Sequence, residues 1–193
     1  MDRYTDKAKS RVRQADVDDL FVNRWSPRAM TGEILSEKDV NSLFEAARFA
    51  PSSMNNQPWR FLISKRDDEN WQLFFNLLTE GNQVWCKDAS VLIVLISKKT
   101  LDKSGKEYKT HSLEAGSAWQ NLALQASLKN IVSHGMGGFD YEKAKSALNI
   151  PDDYKVEMMI ALGKYNKKLS DEKQEKISDR KPLNELVFKG KFN

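Results

Sequence analysis

Val91-Leu-Ile-Val-Leu-Ile96 constrains the fold more than any other stretch, because no polar residue interrupts it. Strand side chains alternate between two faces, so a run that is apolar on both cannot border water on either. It predicts an interior strand over Ala89–Ser97 with a covering layer above and below. It falls far short of the ~20 apolar residues that span a bilayer. A chain of 193 residues can supply both layers, since a domain of that size buries roughly 70% of its unfolded surface. A second apolar run, Val156–Leu162, and a third candidate strand, Trp59–Ser64, accompany it. We therefore expect one α+β domain over residues 1–193.

Helical periodicity supplies the covering layers. Val17, Leu20 and Phe21 share a stripe over Asp16–Phe21 behind an acidic start. Ser36 opens a longer helix with a near capping box, and Val40, Leu43, Phe44 and Ala47 follow on one face until Pro51 ends it. Asp67–Leu78 carries Trp71, Phe74, Phe75 and Leu78, with Gly81 as the expected stop. The longest helix spans Ser112–Lys129. Its small residues Ala115–Ala118 permit close approach of another helix or a planar ligand. His134–Gly138 reads as a glycine-rich turn, Asp140 as the cap of a helix to Leu148, and 164–193 as a polar tail until Leu183-Asn-Glu-Leu-Val-Phe188.

Several function classes are disfavoured. One cysteine, Cys86, excludes an intrachain disulfide framework and a multi-cysteine zinc site, and two histidines, His111 and His134, make no metal cluster. The net charge of +4 resides in the tail: residues 1–163 hold 22 basic and 22 acidic side chains, residues 164–193 nine and five. That is a solvated basic tail rather than a nucleic-acid face. The first sixteen residues lack an apolar signal region, so the expectation is a cytoplasmic protein with no membrane partner. Nucleophile elbows, Walker loops and zinc-protease motifs are missing from the sequence. An enzyme made from this chain needs a cofactor to carry the hard chemistry.

Four polar stretches are candidates for holding one. Arg24-Trp25-Ser26-Pro27-Arg28 sets two arginines around a hydroxyl, equipment for a phosphate or for surface ion pairs. Pro51-Ser-Ser-Met-Asn-Asn-Gln-Pro58 packs hydrogen-bonding side chains between prolines, as a ring-reading loop or an ordinary connection would. Gly135-Met-Gly-Gly-Phe-Asp140 lets backbone N–H groups approach a ligand, although tight turns use the same pattern. Ser178-Asp-Arg-Lys-Pro182 adds a basic pair.

In this order, Arg-x-Ser-x-Arg, Ala-Pro-Ser-Ser-x-Asn-x-Gln-Pro-Trp, Gly-Gly-Phe-Asp and Arg-Lys-Pro-Leu resemble the FMN-dependent nitroreductase family, from about Val17 to Val187. Trp25 stands where Arg or His is common, Pro27 offers no N–H, and Gly137 replaces a frequent glutamate. The resemblance implies a central, mostly antiparallel sheet flanked by helices, in an intertwined homodimer whose carboxyl-terminal segment crosses to the partner. It implies that Arg24, Ser26, Arg28 and the backbone at Trp25 hold the FMN phosphate and ribityl chain, with Arg180 and Lys181 completing the clamp. Ser52, Ser53, Asn55 and Gln57 would meet the flavin from the second subunit. Gly137 would present its N–H to flavin N5, and Gly138 would keep that approach open.

The implied activity is oxidation of NAD(P)H and reduction of electron-poor acceptors, such as nitroaromatics or quinones, by ping-pong hydride transfer through N5. A flavin-modifying or dehalogenating relative, or a non-enzymatic flavin-binding protein, are the alternatives. No catalytic thiolate is needed, so Cys86 is expected to be packed and inert.

Overall fold

The computed structural model describes residues 4–192, apart from the side chains of Lys9 and Ser10, so the first three residues of the charged leading segment lie outside it. After a 3-10 turn over Tyr4–Ser10 the elements are α1 (Asp19–Asn23), α2 (Glu37–Arg48), β1 (Trp59–Lys65), α3 (Trp71–Phe75), α4 (Glu80–Cys86), β2 (Val91–Lys98), α5 (His111–Leu128), β3 (Ile131–Met136), α6 (Tyr141–Ala147), β4 (Tyr154–Lys164) and α7 (Lys167–Glu172). The four strands form one sheet in the order β1-β2-β4-β3. Every neighbouring pair is antiparallel. The expected α+β architecture, an antiparallel sheet between helices, is the one observed.

The apolar run lies where its composition requires. Val91, Ile93 and Leu95 point into a core shared with α2 and α5. Leu92, Val94 and Ile96 point into the opposite core, covered by α3, α4 and α6. All six are buried, and each such side chain contributes about 1.5–3 kcal/mol relative to exposure. Ala115 and Ala118 of α5 are buried in the first core, so helix packing explains those two small residues. Gly116 faces open space instead.

Local chemistry sets the helix starts. Ser36 Oγ accepts from the Asp39 N–H at 3.1 Å, Asp18 caps α1 through the Leu20 N–H at 2.8 Å, and Asp140 caps α6 through Lys143 N–H at 2.9 Å. The helix expected over Asp67–Leu78 is corrected to the five residues of α3. Leu78 leaves it to bridge Phe139, and Thr79 N–H donates to the Gly138 carbonyl at 3.1 Å. Gly81 does not end that helix. It lies in the first turn of α4.

The glycine motif is corrected as well, because β3 runs through His134, Gly135 and Met136. Gly135 serves close packing: a Cβ there would meet Met158 Cε at 2.8 Å and Trp119 Cζ2 at 2.9 Å. In the tail, α7 is an element that the polar composition concealed. Among the described residues no helix is long and apolar enough to cross a membrane.

Candidate functional site

A cleft of about 740 Å³ opens beside edge strand β3, between the segment after α1, the helix α4 and the tail beyond α7. Of the residues singled out from the sequence, Arg24, Trp25, Ser26, Arg28 and Arg180 all line it. Arg24 and Arg180 meet only because the tail folds back over the start of the chain.

Each of these side chains has a physical anchor. Arg24 Nη1 donates to Ser26 Oγ at 3.1 Å. The Trp25 ring turns inward, 5% exposed, and its Nε1–H donates to the Tyr4 carbonyl at 2.7 Å. It packs edge-on to Tyr165. An indole at this position therefore serves the core and leaves only its backbone to the cleft. Pro27 has no N–H, but its carbonyl faces His134 Nδ1 at 3.1 Å. A carbonyl can only accept, so Nδ1 carries the proton. The His134 ring lies 4.6 Å from the Trp85 ring, and the Arg28 guanidinium sits 5.8 Å above that indole.

The electrostatics of the cleft are unbalanced. Burial lowers the pKa of Arg24, and neighbouring Arg180 lowers it further. Arg11 is lowered by burial first, then by Arg180 and Arg24, with Asp179 opposing. Lys173 and Lys176 join them on the lining, while the lining carboxylate is Glu175. Glu175 Oε1 is occupied by the Arg28 backbone N–H at 2.6 Å. Like charges held together in a concave, partly dry site repel one another until an anion arrives. Arg11 was not foreseen. It braces the site by donating to the carbonyls of Val22 at 2.7 Å and Arg24 at 2.9 Å, but in sequence it is one cation in a charged leader. Lys173, Lys176 and Trp85 carried no usable signal either.

The glycine pair Gly137 and Gly138 follows β3 and is not on the cleft lining. Gly138 carbonyl accepts from Asn82 Nδ2 at 2.8 Å and Thr79 Oγ1 at 3.1 Å, at the start of α4. A Cβ on Gly138 would stand 2.7 Å from Asn82 Nδ2, so a larger residue there has to turn the Asn82 side chain away. Gly137 is exposed, and a Cβ on it would meet only the Tyr141 hydroxyl, at 3.6 Å. Lys181 is exposed and lies 3.8 Å from Glu185, off the cleft lining.

Ser52, Ser53, Asn55 and Gln57 are elsewhere. Their loop leads into β1, the other edge of the sheet, and none of them lines the arginine cleft. Met54, Asn55 and Gln57 have φ values of 53°, 53° and 47°, a left-handed run that costs non-glycine residues energy. Hydrogen bonds hold it: Gln57 N–H donates to Ser52 Oγ at 3.0 Å, and Arg60 Nη1 donates to the Gln57 carbonyl at 2.9 Å.

The two residue types weighed as nucleophile or ligand are accounted for. Cys86 is fully buried, and burial pushes its thiol up to about 12. His111, at the start of α5, lies with Nδ1 2.7 Å from Ser97 Oγ. No cluster of three metal-type ligands occurs among the described residues.

Fold and cleft together define an α+β protein with an arginine-rich cleft at a sheet edge, between an early arginine segment and a late one. The Nitroreductase family model matches residues 22–84 and 65–164, and the chain belongs to that family. A solved oxidoreductase containing FMN is 42% identical, covers 95% of this chain and 96% of its own, and superposes with a TM-score of 0.89. Protein DrgA of Synechocystis sp. is 29% identical over 182 residues, covering 79% of this chain and 85% of that protein. A candidate NADH dehydrogenase/NAD(P)H nitroreductase of Archaeoglobus fulgidus is 28% identical over 148 residues, 75% of this chain and 82% of its own.

Proposed function

We propose that this chain is an NAD(P)H-dependent FMN oxidoreductase, acting as one flavin-binding domain in a cytoplasmic homodimer. The observation that carries the reading is the crowding of Arg11, Arg24 and Arg180 in one cleft, where burial and mutual repulsion lower the pKa of Arg11 and Arg24. A phosphate monoester relieves that repulsion, and bidentate arginine contacts give it direction. The cleft volume, about 740 Å³, lies within the ~300–1,000 Å³ range of cofactor pockets. The 42%-identical oxidoreductase contains FMN, and the Archaeoglobus relative's name supports NAD(P)H as donor.

Arg24, Ser26 and Arg28 would hold the phosphate and ribityl chain, with Arg180 closing over them from the tail and Lys181 at its exposed flank. Gly137, exposed just beyond β3, would offer its N–H toward the ring, and Gly138 fixes that backbone against Asn82. Bound FMN supplies two-electron hydride chemistry that the side chains of this protein cannot. Electron-poor acceptors, nitroaromatics or quinones, suit such a site.

Where the loop lies supports the dimer. The β1 and β3 edges are separated by three strand spacings, roughly 14 Å, so Ser52, Ser53, Asn55 and Gln57 are better placed to serve a partner's cleft. The tail supplies an apolar surface for that partner: Leu183, Leu186, Val187 and Phe192 are 48%, 57%, 66% and 86% exposed.

The test is an anaerobic titration of the purified protein. The expected result is a released cofactor with the mass of FMN, bleaching of the flavin band by NAD(P)H, and its return on adding a quinone. A colourless protein whose spectrum is unchanged by added FMN would overturn the reading, and bound FMN that NAD(P)H does not bleach would make it a flavin store.

A further inference from the structure

Glu114, in the first turn of α5, is 8% exposed and makes no ion pair with a lysine or arginine among the described residues, although His111 feels its charge. A buried carboxylate without a counter-charge is costly and requires a reason. Its partners are three. Oε1 accepts from the Ser53 backbone N–H at 3.1 Å and from Thr110 Oγ1 at 2.8 Å, and Oε2 faces the Tyr108 hydroxyl in a short contact. The Tyr108 hydroxyl also lies 3.1 Å from the Ser53 carbonyl. Both backbone groups of Ser53 are thus gripped from below, immediately before the left-handed run at Met54, Asn55 and Gln57. Strained backbone of this kind persists only where its surroundings over-determine it. Glu114 in α5 and Tyr108 in the loop before it supply part of those surroundings.

We propose that Glu114 is a positioning residue for the flavin: acting through Ser53, and with Tyr108, it fixes the backbone that presents Ser52, Ser53 and Asn55 to the partner's cofactor. The proposal rests on the reading of the loop as a flavin contact. It also specifies which substitution is tolerated. The Tyr108 hydroxyl has one hydrogen and two acceptors, Glu114 Oε2 and the Ser53 carbonyl. In Glu114→Gln the amide oxygen can keep Ser53 N–H and Thr110, while its NH2 donates to the phenol oxygen and releases the phenol hydrogen to the Ser53 carbonyl. In Glu114→Ala no side chain replaces the carboxylate, and Ser53 N–H and Thr110 Oγ1 both lose their acceptor.

The experiment measures hydrogen exchange of the 52–57 backbone and the FMN dissociation constant, using the full-length protein. For Glu114→Ala we expect exchange of the Ser53 amide to rise about tenfold or more and FMN to bind about tenfold more weakly, the scale of one lost hydrogen bond to a carboxylate. Glu114→Gln restores both to within about threefold of the parent, which a purely volumetric effect of the alanine would also allow. Tyr108→Phe separates those two explanations. It keeps the volume, removes the hydroxyl, and is expected to loosen the same amides, and it serves in place of the alanine variant should that one not fold. Wild-type protein that holds no FMN overturns the functional reading. Wild-type protein that holds FMN, beside variants with parental exchange or parental FMN affinity, overturns the role of Glu114 alone.

Discussion

The arginine cleft beside β3 and the Ser52–Gln57 loop beside β1 are anchored in contrasting ways. The cleft gathers side chains from the two ends of the chain, and its groups are charged and mutually repelling. The loop is a single short segment, strained in backbone and tied by hydrogen bonds to the Glu114 carboxylate of α5 and the Arg60 guanidinium of β1. A charged cleft gains its order from a ligand, whereas a strained loop must be ordered beforehand by its own protein. The contrast predicts that damage to the cleft is read in ligand affinity, and damage to the loop in its own mobility first.

The largest effect is expected at the cleft. Arg24→Ala removes one side of a partly buried charge pair with the phosphate, about 2–5 kcal/mol, or roughly thirty- to several-thousand-fold in the FMN dissociation constant. Melting of the apoprotein should change little, while the stabilisation conferred by added FMN falls. Titration and paired melting curves check both, and an unchanged affinity would break the comparison by making Arg24 a structural arginine only.

Deleting residues 183–193 tests whether the loop serves a second copy. The apolar string Leu183–Phe188 is lost, so light scattering should report monomer, and FMN affinity should fall about tenfold or more as the partner's loop is withdrawn. A truncated protein that stays dimeric would refute the tail's role.

Gly138→Ala sharpens the picture of the backbone beyond β3. Its Cβ would meet Asn82 Nδ2 at 2.7 Å, and turning that side chain away, with loss of its 2.8 Å hydrogen bond to the Gly138 carbonyl, should cost about 0.5–1.5 kcal/mol in denaturant unfolding. Gly137→Ala, with only the Tyr141 hydroxyl at 3.6 Å, should leave stability close to the parent's. Cys86→Ser lies under the cleft but takes no part in it. Turnover should change by less than about tenfold, ~1.4 kcal/mol of barrier. A larger loss with FMN still bound would assign chemistry to the thiol.

The smallest effect separates the two regions by pH. Burial lowers the His134 pKa from 6.5, so the folded state resists its protonation. Stability from this group is present above 6.5 and declines as pH falls below it. Tyr108 runs the other way: burial, then Glu114, raise its phenol to about 12 from 10.0. Its contribution holds below pH 10 and is lost as pH rises toward 12. Melting curves across pH should therefore show an acid-side slope that Gln in place of His134 reduces, and an alkaline-side slope that Tyr108→Phe reduces.

What the sequence determined by itself was whatever depends on neighbours along the chain. The apolar run of β2 demanded two covering layers, Ser36 and Asp140 announced helix starts, and the residues between Pro51 and Pro58 marked a polar loop. Period and capping are local, so they survive without tertiary information. The family motifs were legible for the same reason, as short residue strings in a fixed order. Tertiary structure decided the rest. A glycine string reads as a turn until His134, Gly135 and Met136 are seen to pair with Ala161, Ile160 and Met159 of β4, with Trp119 and Met158 packed against Gly135. Trp25 could have faced the ligand, but Tyr4 and Tyr165 draw its ring inward. Glu114 is an ordinary helical acid in sequence, and Arg11 one charge among many. Charge and hydrogen-bonding capacity are properties of a residue, whereas repulsion, burial and partnership belong to pairs that only the folded chain brings together.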